Sequence, residues 1–541
     1  MFRLSFLVLF FSVTLSYAWQ TNGVAICDAT NHQYYPTMTT DGSGGAIIAW
    51  QDNRNGSDFN IYVQRVDPDG VVQWDSNGIV VCDANSGQFH PVLVSDGAEG
   101  AIIAWYDYRL GASDIYAQHV NASGVCQWLP NGVVICDAED TQEYPQLVSD
   151  GAGGAIITWH DKRNDFGGVY VQRVDANGTC SWDSNGVVIC ELYLGQEYPQ
   201  IISDGSGGAV LVWHDGRTGV DYDIYAQRVN SSGDTLWQAN GVMVCNAING
   251  QMSPMLTPDG TGGAIITWEH NGSSPNLDVK AQRVNTAGFC VWDSNGIMIC
   301  DATGNQFGPV LISDNSGGAL ITWWDFRTMS HDDIYAQRID ATGNCVWDSN
   351  GVAICDATFH QRYPQITPDG AGGAIITWDD QRFVYHDIYA QRVSSAGACL
   401  WDSNGVIICN AAEDQNDPQL IADGFGGAII TWEDERNGLT NTDIFAQRVD
   451  STGSTGIIEA NKIASKYLDC RLIACPNPFY EFVTINNTEK VFAIYDISGR
   501  LIGRAENGIW RGRDFNNKEA QSGVYFLKAE DTKPVKIVKL R

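Results

Sequence analysis

Gln196-Glu197-Tyr198-Pro199-Gln200-Ile201-Ile202-Ser203, Asp204-Gly205-Ser206-Gly207-Gly208, Ala209-Val210-Leu211-Val212-Trp213: this stretch decides how the chain folds. Pro199 to Ser203 is a short extended run, and proline suits a first strand residue because no ladder amide is needed there. Asp204 to Gly208 supplies the positive-φ positions of a tight turn. Ala209 to Trp213 is almost wholly apolar, the pattern of a strand covered on both faces. Working outward, His214 to Tyr222 is a polar loop, Asp223 to Val229 a third strand and Asn230 to Gly233 a turn. Thr235 to Cys245, with Trp237 and an Asn240-Gly241 turn, reads as one interrupted outer strand or as an extra hairpin. The unit thus has four strands, with a fifth left open.

The same unit recurs along the chain. Trp-x-x-Asn-Gly-(Val/Ile)-x-(Ile/Val)-Cys begins at Trp19, Trp74, Trp128, Trp182, Trp237, Trp292, Trp347 and Trp401, with steps of 54 or 55 residues. Gly-Ala-(Ile/Val/Leu)-(Ile/Leu)-x-Trp ends at Trp50, Trp105, Trp159, Trp213, Trp268, Trp323, Trp378 and Trp432. Gln-x-x-Pro starts at Gln33, Gln88, Gln142, Gln196, Gln251, Gln306, Gln361 and Gln415. Three markers sharing one period, in strand-like sequence, are the signature of propeller blades. The expected fold is therefore all-β, an eight-bladed β-propeller over residues 19–453.

The two ends of the array complement each other. The array begins in mid-unit at Trp19, after Ser16-Tyr17-Ala18, and the last unit stops at the third strand, Asp443 to Val449. The opening fragment, Asn22 to Ala29, is the missing outer strand of the final blade. Closing the ring this way removes free sheet edges, whereas an open solenoid would need distinct caps. Residues 1–18 carry Arg3, an apolar run from Leu4 to Leu15, and small residues before Ala18, as in a signal peptide cut after Ala18. The run is too short to span a bilayer comfortably, so no transmembrane segment is expected.

Fifteen cysteines fit an oxidising compartment. Five pairs are spaced ten apart: Cys126 with Cys136, Cys180 with Cys190, Cys290 with Cys300, Cys345 with Cys355 and Cys399 with Cys409. If Asp183 to Gly186 forms a hairpin turn, Cys180 faces Cys190 and a disulfide closes each pair. The other reading is a small buried hydrophobe, and it must hold for Cys27, Cys82 and Cys245, which lack the upstream partner.

After Gly453 the period ends. A linker is expected over 454–469, and residues 470–541 carry 12 Lys and Arg against 8 Asp and Glu, where the rest of the chain has 20 against 56. Within this tail lie Pro476-Asn477-Pro478-Phe479, then Asp496-Ile497-Ser498-Gly499-Arg500, Ser522-Gly523-Val524-Tyr525 and a terminal Lys536 to Leu540. The ordered series resembles the C-terminal sorting domain of the bacterial type IX secretion system. That resemblance implies a small Ig-like β-sandwich, recognised by the secretion machinery, and a protein that passes through the periplasm to be secreted or held at the outer-membrane surface. The repeats, for their part, resemble the Gly-Gly-Ala-Ile-Ile-x-Trp arrays of exported bacterial propeller proteins. They depart in spacing from the Asp-box of sialidase propellers, so no activity is carried over from those.

No catalytic motif is legible. Asp-x-Arg follows the second strand in seven units, from Asp52/Arg54 to Asp434/Arg436, and recurrence points to a loop brace. The fifth unit departs, with His270-Asn271-Gly272 at that place and Lys280 where others have an aromatic. Nine histidines share no spacing, and no metal, nucleotide or other cofactor motif is present. A formal net charge of −32 argues against a nucleic-acid partner. What remains is one propeller face, where the Gln-x-x-Pro crossovers place Gln33, Gln88, Gln142, Gln196 and Gln361 beside Tyr35, His90, Tyr144, Tyr198 and Tyr363. These aromatics either meet a glycan or protein ligand or plug the gaps between blades. The expected function is a non-catalytic binding or adhesion protein. The alternative, a glycoside hydrolase or lyase on a propeller scaffold, would place unique carboxylates around one pocket near the ring axis.

Overall fold

The computed structural model describes residues 19–164, 166–272 and 276–455, together with short segments between Ala474 and Lys539. Ala18, the signal segment, most of the linker, and Pro476, Asn477, Pro478 and Gly499 of the sorting motifs lie outside the described residues. Among those described, no helix occurs, and eight four-stranded antiparallel sheets precede the tail.

The first strand to appear, β1 (Val24–Cys27), belongs to the last sheet. It pairs with Asp443–Val449, Val24 facing Ala446 and Ala25 facing Phe445. Gln447 Nε2 donates to the Gln20 carbonyl at 2.6 Å, fixing the seam. The expected closure by the N-terminal strand is therefore what the chain does.

In the first full blade β2 (Gln33–Thr40) is innermost, followed by β3 (Ala46–Asp52), β4 (Asn60–Val66) and β5 (Ile79–Cys82). Neighbouring blades touch through their first strands. From Ala46 to Trp50 every side chain is fully buried, as the apolar run required. Removing Trp50 alone from water is worth roughly 3 kcal/mol or more, and the eight such tryptophans are the largest fully buried side chains among the described residues. Glycine is obligatory at two places in each unit. A Cβ on Gly208 would stand 2.2 Å from the Val229 carbonyl oxygen, and one on Gly241, at φ 87°, 2.6 Å from the Trp213 ring.

The outer segment resolves the question of a fifth strand. Thr235 makes only an isolated bridge to Val229, and Val242–Cys245 then forms the fourth strand. Trp237, between them, reaches the next blade and donates to the Thr286 carbonyl at 2.9 Å. Trp19 makes the equivalent bond to Pro68 at 2.8 Å, so the opening fragment is stapled like every other.

This geometry overturns the disulfide expectation. All thirteen propeller cysteines are free thiols. Cys190 lies opposite Val169, whereas Cys180 bridges Val174 at the other end of the same strand. Five residues of extended chain separate those rungs by roughly 17 Å, far beyond the reach of a disulfide. The same registers part Cys126 from Cys136, Cys290 from Cys300 and Cys345 from Cys355, since the Asn-Gly turn leads the last strand back to the third and not to its own approach. Cys399 bridges Val393 while Cys409 faces Ile388.

In the tail, described strands form a three-stranded sheet containing Ala474–Cys475 and a four-stranded sheet containing Phe492–Asp496 and Gly523–Lys528. Asp496 pairs with Tyr525, and Gly523 with Lys539, which brings three of the sorting motifs into one sheet.

Candidate ligand-binding mouth

Each blade has two ends, and they differ in kind. At one end sits the Asp-Gly turn: Asp204 accepts the amides of Ser206 and Gly208, and its carboxylate is paired with Arg228 at 2.8 Å. The same ion pair recurs in every blade, with His119 replacing arginine once, against Asp96. The carboxylate-to-cation pair is the feature all eight blades share at this end.

The other end holds the Asp-x-Arg loops. Asp215 accepts the Trp213 indole N–H at 2.8 Å and the Arg217 Nε at 2.8 Å. Arg217 Nη2 also donates to Cys190 Sγ of the preceding blade at 3.2 Å and to the Asn240 carbonyl at 2.8 Å, while its guanidinium lies over the Tyr225 ring. The pair is thus an interblade clasp, as its recurrence suggested. Burial pushes the Cys190 thiol up to about 12, so it serves as a neutral contact in the clasp. In the fifth blade Lys280 Nζ takes over the bond to Asn295 at 3.2 Å, and the Trp268 indole N–H is left without a partner.

Around the axis at this same end, the residue before each proline is a bulge in the left-handed region: Tyr35, His90, Tyr144, Tyr198, Ser253, Gly308, Tyr363 and Asp417, with φ between 49° and 54°. Such a conformation costs a non-glycine residue of order 1 kcal/mol and lifts its side chain out of the ladder. At three of these positions the amide is capped by the residue that follows the second-strand tryptophan of the neighbouring blade: Glu433 Oε1 accepts from Tyr35, Gln51 Oε1 from His90 at 3.2 Å, and Glu269 Oε1 from Gly308 at 2.7 Å.

The rings form an arc. Tyr35 and His90 are 5.0 Å apart, His90 and Tyr144 5.8 Å, Tyr144 and Tyr198 5.5 Å. Tyr35, Tyr198 and Tyr363 are about half exposed, so they face the mouth and do not plug gaps between blades. Tyr35, His90, Tyr144 and Asp417 line an axial cavity of about 280 Å³. The five glutamines do not reach it. Gln33, Gln88, Gln142, Gln196 and Gln361 are fully buried, and their amides bond within their own crossover loops, as Gln33 does to the Asn31 carbonyl at 3.1 Å and Gln88 to that of Ser86 at 2.7 Å. The expected binding role therefore fails for these glutamines, which brace the crossover loops.

Behind the arc, the cross-strand pair at this end changes identity from blade to blade: Phe89 faces Tyr106, Glu143 faces His160, Glu197 faces His214, Arg362 faces Asp379 and Asn416 faces Glu433. His214 Nε2 stands 3.7 Å from Glu197 and holds that carboxyl below its usual range. On the far side of the mouth the carboxyls are pushed up. Burial raises Asp379, burial and the charge of Asp379 raise Asp417, and burial raises Glu433 to about 8. Asp417, Asp379 and Glu433 are the site residues that reading motifs misses. They occupy columns that vary among the eight units, and that variation is the signal that finds them.

Comparison with known proteins divides the chain. Residues 474–540 match the secretion system C-terminal sorting domain. The sorting domain marks the protein for export through type IX secretion, to the cell surface or beyond it. No curated protein matches the chain. Among solved structures, the propeller is similar to an ulvan lyase bound to a GlcA(1-4)Rha3S unit (TM-score 0.44, 10% identity, 82% of this chain and 99% of that one). It is also similar to a second polysaccharide lyase (0.42, 9%, 71% and 93%) and to the Penicillium chrysogenum α-L-arabinanase complexed with arabinobiose (0.34, 12%, 57% and 93%). At these identities the likeness concerns the fold alone.

Proposed function

We propose that this is an exported glycan-binding propeller, whose ligand lies across the axial mouth on the arc from Tyr35 to Tyr198. One observation carries the reading: the residues that ring the axial mouth change identity from blade to blade, while the opposite turns keep a carboxylate-to-cation pair in every blade. A repeated scaffold whose inner strand ends change identity around one axial mouth is equipped to present a specific surface there. Exposed aromatic faces beside carboxyl and imidazole groups suit sugar rings, which offer C–H faces and hydroxyls together. The exported form begins at Trp19 after cleavage behind Ala18, and residues 470–541 form an Ig-like sandwich beyond a 454–469 linker, read by the secretion machinery. A glycan array probed with the exported chain tests the reading. Binding should weaken at least about tenfold in Tyr144→Ala, and a blank array would overturn it.

A second reading, a carbohydrate-active hydrolase or lyase, is favoured by Asp417, the one carboxylate among the eight bulge residues. Release of new reducing ends or unsaturated products from an array-positive polysaccharide, abolished in Asp417→Asn, would establish it.

A further inference from the structure

We propose that the axial mouth selects glycans bearing amines, seating a ligand ammonium against Asp417 within the ring of tyrosines. The proposal rests on the glycan-binding reading and names the class of glycan. Asp417 is half-buried at the rim of the cavity, and no side chain or amide among the described residues donates to it. Its charged neighbours are themselves acidic, since Asp379 and Glu433 both act on it or on Tyr35 beside it. A carboxylate in that position is costly until a counter-charge arrives.

The described cations near the mouth are already engaged elsewhere. The Asp-x-Arg guanidiniums are consumed by their own aspartates, Arg362 is held by Asp332 at 2.5 Å, His386 faces Asp379 at 3.6 Å, and Lys162 faces Glu143 at 3.7 Å. A uronate or sulfated chain would therefore meet the Asp417 carboxylate and cations already engaged with other carboxyls. An ammonium meets the reverse: a carboxylate for a charge-assisted hydrogen bond, and tyrosine rings whose π faces attract cations. The arc continues from the cavity over Tyr144 to Tyr198, which suits a chain of sugar rings better than a single side chain of a basic peptide.

Calorimetry on the exported chain, with glucosamine, N-acetylglucosamine and glucuronate hexamers and with hexalysine, decides the matter. The glucosamine hexamer should bind at least about tenfold more tightly than its N-acetyl form, and the glucuronate hexamer most weakly. Asp417→Asn should cancel the preference while leaving N-acetylglucosamine binding in place, with Tyr144→Leu weakening both sugars and unchanged thermal melts reporting intact rings. Equal binding of all three sugars, tighter glucuronate binding, or a preference that survives Asp417→Asn would overturn amine selection while leaving a glycan-binding propeller. Tighter capture of hexalysine than of any sugar would overturn both readings in favour of a peptide ligand.

Discussion

Glu433 in the last blade accepts the backbone amide of Tyr35 in the first, with 2.6 Å between oxygen and nitrogen. Tyr35 turns into the left-handed region, so its N–H leaves the ladder, and the acceptor comes from across the seam where the two ends of the propeller meet. The contact thus joins ring closure to the shape of the mouth.

That carboxyl makes stability depend on pH. Burial raises Glu433 to about 8, Asp333 to about 7, and Asp114, Asp223, Asp278, Asp387 and Asp443 to about 6. Each is above its unfolded value, so its contribution is complete below about pH 4 and is lost as pH rises through 6 to 8. Turn carboxylates such as Asp150 and Asp204 are held below their usual value by hydrogen bonds and Arg pairing, against the opposing effect of burial, and their contribution fails only in stronger acid. The melting temperature should peak near pH 5 and fall by about 3–6 °C at pH 8.5. Glu433→Gln should flatten part of that slope. A melt that rises steadily to pH 8.5 would contradict the assignment.

Arg217→Ala tests the clasp. It removes the cation from a fully buried Asp215 and parts two blades at Cys190. Loss of one member of a buried pair costs about 3 kcal/mol, read as a lower urea midpoint. Asp215→Asn with Arg217→Ala should recover part of the loss, because no charge is then left stranded.

Thiol chemistry should separate two classes of cysteine. Alkylation of the native exported chain should reach the exposed Cys290, Cys345 and Cys399 first, and Cys190, Cys355 and Cys409 only on unfolding. Mass mapping without reductant should find no peptide linking Cys180 to Cys190.

Deletion of residues 454–541 should leave a folded, closed propeller stranded in the periplasm, because every described strand of the ring lies before Ser454. The check is fractionation with a melt of the retained protein. Normal delivery of the truncated chain to the surface or medium would refute the sorting role.

The sequence by itself determined the period, the number of blades, the closure by Asn22 to Ala29 and the export tail. Each of these depends on residues that repeat or complement one another: glycine where a Cβ would strike Val229 or Trp213, tryptophan where blades meet. Tertiary structure alone decided which side chains are available to a ligand. Gln33 and Tyr35 are two positions apart, yet the bulge buries one and projects the other into the mouth. Cys180 and Cys190 show the same limit, since spacing along the chain does not reveal that both pair to opposite ends of a third strand. Asp417, Asp379 and Glu433 come from two blades and carry no shared motif. Strand pairing within the last blade and its packing on the blade before make them neighbours, and closing the ring sets them beside Tyr35 of the first blade.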